Sequence, residues 1–599
     1  MIYHCEDHTC NYWDEGEKLP ERCPQCGRKL LRANEADMTG DDWTALGNTL
    51  WDAEASDKKR MVDCFRKAAY LGSAWGVCNL GICMEQGNGV EADPVQAFWL
   101  YQQAVEMGSL NAVCCLGVCY QYGIGTAPDA KQAAELYCKA AEYGSPRGQM
   151  LLACAFHDGI GVEADAAEAV YWVRAAAYQR YGEGMHRLGV CYEYGDGVEQ
   201  NWERAVHWFR EAAESGVGVA MTDLGYCYEK GCGVEQSWEQ AFSWYRRGAE
   251  CGDPVSMCNL GLCYQMGYGV EQNWQEAIKW YEQGAQCGDL QSMHNLACCY
   301  EGGEGVEQNE DRAFYWYRRS AEGGNGSAMC NLGRCYKRGY GVEQNWQEAV
   351  KWYEQGAQCG NLQSMHNLAC CYEHGEGVEQ NMTEAIRWYT AAAEGGNADD
   401  MYELGWQYDH GEGVEQDMKK AICWYERAAE QNHPAAMNSL GECYAMGRGV
   451  PRDLETAMEW YRRAAELGEA MADYNMGWHL EQAGKLSEAY THYRKAADGN
   501  DDSAWWALGR FYENGVVVAQ DGKEARRCYE TGEKLGSVKC KMRLARCKLL
   551  GIGGRRAKKA GLDLCRQALE LAKESSEKED YGYEAEMNLL RRTIAENES

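Results

Sequence analysis

Basic charge is the first thing this sequence is short of. Its 59 Lys and Arg face 92 Asp and Glu, a formal net charge of −33 over 599 residues. Such a balance repels phosphates, which argues against a nucleic-acid or anionic-membrane binder. No apolar run approaches the ~20 residues that a membrane helix needs. The opening residues, Met1-Ile2-Tyr3-His4-Cys5, carry neither a basic nor an apolar secretion-signal region, so the expected compartment is the cytoplasm, where thiols stay reduced. Signature motifs of catalysis are missing as well. There is no P-loop, no H-E-x-x-H, no G-x-S-x-G and no G-x-G-x-x-G after a strand, and the expectation is a protein without enzymatic activity. Proline is scarce at 8, whereas glycine reaches 69 and cysteine 32. With 22 Trp and 39 Tyr, the composition excludes intrinsic disorder.

What is present is a repeat. The element G-x-G recurs with its first glycine at Gly87, Gly123, Gly159 and onward to Gly447, every step being 36 residues. A leucine stands seven residues before each, from Leu80 to Leu440, followed by Gly or Ala. Leu46, Met476, Leu508 and Leu544 extend that slot to 15 repeats. Residues 273–309 and 345–381 differ only at Ile278/Val350, Asp289/Asn361 and Gly302/His374, which marks a duplicated 72-residue unit.

Each repeat reads as helix–loop–helix. Met257, Leu260, Cys263 and Tyr264 share one face of a first helix, and Gly261 admits a close backbone neighbour. Gly267 and Gly269 end it with left-handed torsions. Asn273 serves as N-cap of the second helix, with Glu276 completing a capping box. Ala277, Trp280 and Tyr281 line that helix, so the Trp-Tyr tryptophans, Trp424 and Trp460 included, are expected in the core. One hairpin cannot bury both of its faces, and stacked neighbours can. The expected fold is therefore all-α, a solenoid of αα-hairpins.

The motif in Ala328–Gly360, with Leu332-Gly333, Tyr336, Gly339-Tyr340-Gly341-Val342, Ala349 and Trp352-Tyr353, resembles the Sel-1-like repeat, a relative of the tetratricopeptide repeat. The resemblance covers about residues 40–572. It implies a right-handed superhelix and a scaffold or adaptor that binds a protein or peptide on its surface. The division expected is 1–36, 37–572 for the repeats and 573–599 for a C-terminal capping helix.

Ahead of the repeats stand Cys5, Cys10, Cys23 and Cys26. Four cysteines this close suit one closed structural zinc site, with iron the rival ion. The segment resembles a rubredoxin-like zinc ribbon, although its first knuckle holds four intervening residues and leaves His8 as a substitute for Cys10. It has no excess of basic residues and is expected to make protein contacts or to cap the first repeat.

Ten further cysteines, from Cys83 to Cys547, occupy the slot three residues after the recurrent leucine and are expected to be small buried hydrophobes. No second cysteine recurs regularly enough for a disulfide in each repeat.

Positions −2, +2 and +5 from the leucine face away from the core side, toward the groove of a tetratricopeptide-like solenoid. His294 with Cys298, and His366 with Cys370, are i,i+4 pairs there. Tyr402, Trp406, Tyr474, Trp478 and Trp506 form an aromatic stretch over repeats 11–14, and exposed aromatics mark partner sites. These nine residues are the expected partner-binding set. The alternative is a metal- or thiol-handling protein using the Cys/His groove. Two charged features remain. Gly-Val-Glu-Gln occurs seven times and reads as a solubilising row of carboxylates. Ten basic residues between Lys539 and Arg566 form a basic end, open to an acidic partner or matched to helix C-termini.

Overall fold

The computed structural model describes residues 38–51, 55–578 and 583–598, together with three strands near the N-terminus. The strands β1 (Ile2–Cys5), β2 (Trp13–Glu15) and β3 (Leu30–Arg32) form an antiparallel sheet in the order β2-β1-β3. Thereafter the described residues are helical, with 31 helices from Gly40 to Glu598. The chain divides into two compact units, 1–309 and 310–599. Seven hairpins make up most of the first unit, which ends with the helix Leu290–Gly302. The second begins with the helix Glu310–Glu322 and continues through seven hairpins to the helix Glu584–Glu598.

Local chemistry sets each hairpin, as the seventh shows (Pro254–Met266 and Trp274–Gln286). Asp253 caps the first helix by accepting from Ser256 N. Gly267 closes it at φ 75°, and Gly269 follows at φ 69°. Asn273 caps the second helix, accepting from Gln275 and Glu276 N–H groups at 3.1 and 3.2 Å. Glu276 turns outward to Lys279 (3.4 Å), and the reciprocal capping box is made instead at Thr39 and Asp42.

The two loop glycines do different work. A Cβ on Gly267 would meet nothing closer than Gln272 Cβ at 3.5 Å, an ordinary contact, so its requirement is torsional. A Cβ on Gly269 would run into the backbone of Trp238, first residue of the preceding hairpin's second helix, with its carbonyl carbon at 2.6 Å. That glycine lets one repeat seat on the last. The neighbour at Gly261 is a ring and not backbone: an added Cβ would lie 2.6 Å from Tyr281 Cε1.

This packing corrects the expected core. Tyr245, Tyr281, Tyr353, Tyr425 and Tyr461 are fully buried; of the tryptophans beside them Trp244 is buried as expected, while Trp280, Trp352, Trp424 and Trp460 are only half-buried. Tyrosine lies one residue further around the helix, directly against the Leu-Gly face. The tryptophan flanks the packed seam, and in some repeats an arginine three residues on covers it, with Arg427 over Trp424 at 4.3 Å and Arg463 over Trp460 at 4.5 Å. The ten slot cysteines are all buried, as expected, and no disulfide joins the described cysteines. Burial raises their thiol pKa, to about 12 at Cys263 and about 11 at Cys83.

The basic end is largely used internally. Arg543 makes a two-pronged ion pair with Glu586 (2.6 and 2.7 Å) and a bond to Glu513, and Arg546 pairs with Glu513. These contacts tie the fifteenth repeat to the fourteenth and to the helix Glu584–Glu598, whose Met587 and Leu590 pack with Met542, Leu549 and Cys565. Arg555, Lys558 and Lys559 remain exposed.

Candidate interaction surface

Within each unit, successive first helices contact one another as well as their own partners. Positions −2, −1, +2 and +5 lie on the side of each first helix away from the recurrent leucine, and the buried tyrosine of its own second helix still reaches that side. Two devices organise it. The buried tyrosine of the second helix donates its hydroxyl to the +5 residue: Tyr101 to Glu85 (2.6 Å), Tyr245 to Glu229 (2.8 Å), Tyr389 to Glu373 (2.7 Å) and Tyr529 to Glu513 (2.8 Å). Side chains at −1 reach back to the preceding repeat, as Asn295 does to Cys258 Sγ (3.6 Å), Asn367 to Cys330 Sγ (3.3 Å) and Asn475 to Asn438 (3.0 Å). A carboxylate or amide recurring at +5, sixteen residues before a tyrosine, is the signal that would have revealed the first device.

The Gly-Val-Glu-Gln loops hold a similar surprise. Their seven glutamates are exposed, while the glutamine folds back to cap the first helix. Gln272 Nε2 donates to Gln265 O at 2.7 Å, and Gln380 Nε2 to Glu373 O at 2.8 Å. Half of the motif is therefore structural, satisfying carbonyls that a helix end leaves open.

The expected partner-binding residues separate into groups. Tyr474 and Trp478, one turn apart on the helix Ala470–Gln482, line a cleft of about 420 Å³ together with Glu442, Met446, Arg448 and Asn475. Trp478 is 38% exposed, and Tyr474 is held against Tyr493 with ring centroids 5.6 Å apart. Arg448 pairs with Asp409 at 3.1 Å, and its buried Nε has no partner among the described residues. Tyr402 and Trp406 lie two repeats earlier, stacked on His433 (5.0 Å) and His410 (4.3 Å). The intervening repeat presents Asn438 and Glu442 at the same positions, so polar groups interrupt the aromatic stretch. Trp506 belongs with the packed interior: it lies between Arg510 (4.6 Å) and Lys539 (5.2 Å) and against the cluster around Tyr529.

Of the Cys/His pairs, Cys298 Sγ lies 3.8 Å from His294 Nε2, and Cys370 Sγ lies 3.6 Å from His366 Nε2. Among the described residues no group of three or more His, Cys, Asp or Glu is arranged to hold a metal ion. The proposed zinc ligands fall elsewhere. Cys5 ends β1, described as backbone, and Cys10, Cys23, Cys26 and His8 lie outside the described residues. Exposed aromatics that the −2/+2 reading passed over occur in the first unit, notably Tyr122 (70%) and Tyr194 (74%), each just before a loop glycine.

Stacked helical hairpins of one recurring length, glycine-stopped and locked repeat to repeat, define an α-solenoid repeat protein. The Sel1 repeat pattern matches thirteen times, over 76–109, 112–145, 146–181, in 36-residue steps through 182–469, and over 470–501 and 504–537. The chain belongs to the Sel1 repeat family. The first and fifteenth repeats lie outside those matches, although each forms a hairpin of the same kind. Among solved structures the chain is similar to c5321, described as a protective antigen present in uropathogenic Escherichia coli strains displaying an SLR fold. Identity is 32%, covering 75% of this chain and 97% of that one, with a TM-score of 0.50. It is also similar to a Sel1 repeat protein from Oxalobacter formigenes at 33% identity, covering 41% and 96%, with a TM-score of 0.37. No curated protein matches the chain. Sel1 repeat proteins are generally protein-interaction scaffolds, and solenoids of this type are typically without enzymatic activity. No described helix is long and apolar enough to cross a membrane.

Proposed function

We propose that this chain is a non-enzymatic scaffold that holds a segment of a partner protein against the first helices of its second unit, on what would be the concave side of the stack. The observation that carries this reading is the cleft at Tyr474 and Trp478. It combines an exposed indole, a half-buried phenol and a partly exposed arginine that Asp409 and Glu442 hold in place. An apolar side chain seated on the rings, with a backbone carbonyl at the exposed edge of the Arg448 guanidinium, fits that chemistry. Glu442 beside the same cleft disfavours a nucleic-acid strand. We assign the protein to the cytoplasm on its sequence, and we propose that Cys5, Cys10, Cys23 and Cys26 hold one structural zinc ion in a ribbon preceding the repeats.

The test starts from the dominant partner captured from native extract by the full chain. That partner is purified and titrated against wild type and Trp478→Ala. An aromatic anchor is worth about 2 kcal/mol or more, so affinity is expected to fall at least tenfold. Trp478 is partly exposed, so the melting temperature is expected to hold, surface changes costing within about 0.5 kcal/mol. Unchanged affinity would remove the cleft from the interface.

A further inference from the structure

The helices Leu362–His374, Met382–Glu394 and Ala398–His410 bring together a set of groups that the scaffold reading leaves unused. His366 sits between a thiol and a carboxylate. Its Nδ1 is 2.7 Å from Asp400 Oδ1, and its Nε2 faces Cys370 Sγ at 3.6 Å. Asp400 is fully buried, and its second oxygen has no hydrogen-bond partner among the described residues. Cys370 is half-buried, so reagents can reach it, and its sulfur also contacts the Tyr389 hydroxyl at 3.3 Å. The carboxylate holds the imidazole, and the imidazole addresses the sulfur, which is the order of an activated-nucleophile relay.

Electrostatics support the same arrangement. The hydrogen bond to Asp400, and then that to Cys370, raise the His366 pKa to about 10. Burial pushes the Asp400 carboxyl above its usual range, and the His366 hydrogen bond opposes that push. At that value the imidazole stays cationic through neutral pH and holds a proton beside the sulfur. The other groups facing this cluster are Glu373 on the cysteine's own helix, Tyr389 on the next, and Glu403 and Asp399 on the third. The carboxylates among them disfavour anionic reagents. By contrast, Cys371 is buried and its thiol is raised to about 12.

We propose that Cys370 is a modification site, a nucleophilic thiol that reacts with small neutral hydroperoxides under the control of His366 and Asp400. The Cys370 sulfur attacks the terminal oxygen of ROOH. An S–O bond forms, the O–O bond breaks, and its electron pair leaves on the alkoxide. His366 Nε2–H gives that oxygen its proton, and the proton lost by the thiol restores the imidazolium. Sulfur is oxidised to sulfenic acid and the peroxide is reduced to ROH, water when the reagent is hydrogen peroxide. A neutral electrophile with a poor leaving group is the class that benefits from a fixed proton donor. The duplicated pair His294–Cys298 has Ala328 at the sequence position matching Asp400, so the acid is particular to this copy. The site stands apart from the cleft, and either reading can fail without the other.

The experiment treats the full-length reduced chain with hydrogen peroxide at pH 6 to 8.5, traps sulfenic acid with a dimedone-type reagent, and resolves the sites by peptide mass spectrometry. Cys370 is expected to be labelled at least tenfold faster than Cys371 or the exposed Cys359, with a rate nearly independent of pH. His366→Gln is expected to slow labelling at Cys370 at least tenfold and to make the rate climb with pH, and Asp400→Asn to do the same more weakly. Circular dichroism checks that each variant is folded. Cys370 labelling in the wild type no faster than Cys359, or climbing with pH as an ordinary thiol does, overturns the proposal even if neither variant folds. An unchanged rate in folded His366→Gln overturns it as well.

Discussion

Gly267 and Gly269 are two residues apart in one loop, at φ 75° and 69°, and they separate two contributions to repeat stability. Replacing either by alanine places an L-residue in the left-handed region, at roughly 1–2 kcal/mol. At Gly267 that is the whole effect, because the nearest atom, Gln272 Cβ at 3.5 Å, is at ordinary contact distance. At Gly269 the new methyl strikes the Trp238 peptide, with the carbonyl carbon at 2.6 Å and Glu239 N at 2.9 Å. Contacting carbons rest at about 3.5–4.0 Å, so the seventh repeat has to retreat by about 1 Å from helical backbone that cannot swing aside. Overpacking of this kind costs about 1–3 kcal/mol, for a total of about 2–5 kcal/mol. A repeat array opens locally, so a single melting temperature is a poor readout. Site-resolved amide hydrogen exchange suits the question. At 1.4 kcal/mol per factor of ten, Gly267→Ala is expected to lower protection in the helices Pro254–Met266 and Trp274–Gln286 by roughly five- to thirtyfold. Gly269→Ala is expected to lower it at least fivefold further and to extend the loss into Trp238–Glu250. Equal losses for the two variants, or a loss confined to the mutated hairpin in both, would refute the inter-repeat seating argument. The fourteenth repeat already shows what replaces this glycine: Val517 stands there at φ 65°, half exposed, behind a repeat whose loop is short.

Two further expectations concern the sulfurs. The ten slot cysteines should react slowly with a neutral alkylating agent at pH 7.5, and reductant should leave thermal stability unchanged, since burial keeps them as thiols; fast labelling of Cys263 or Cys443 would contradict the packing. Purified chain should contain one zinc ion, released by Cys23→Ser without loss of helical circular dichroism from the repeats, and metal-free wild-type protein would dismiss the ribbon.

The 36-residue period, the glycine stops and the buried cysteine slot were legible because each is a local requirement repeated at a fixed interval. Helical spacing alone does not rank neighbours within an apolar stripe, which is why it places Trp424 and Trp460 in the core without distinguishing them from the more deeply buried Tyr425 and Tyr461. The same limit hid Gln272 and its counterparts, whose amides bond seven residues back to a helix end and look in sequence like solvated loop. Contacts between repeats are harder still. The ties of Arg543 to Glu586 and of His366 to Asp400 span 43 and 34 residues, and nothing in either local segment announces the partner. For that reason the basic end read as open to an acidic partner or matched to helix C-termini, and the His366–Cys370 pair read as two ligands without the carboxylate that organises them. The candidate cleft was half legible. Tyr474 and Trp478 stood out as aromatics on the non-core face, whereas Arg448 and Glu442 join them only through stacking of the twelfth and thirteenth repeats.

Photo-crosslinking of the partner from a residue-sized probe at position 478, set against one at the exposed Cys423 on a second helix, tests the scaffold reading most directly. Covalent adducts to one partner segment from position 478, with none from 423, are the predicted result. Adducts from 423 with none from 478 would place the partner on the other face and contradict the account.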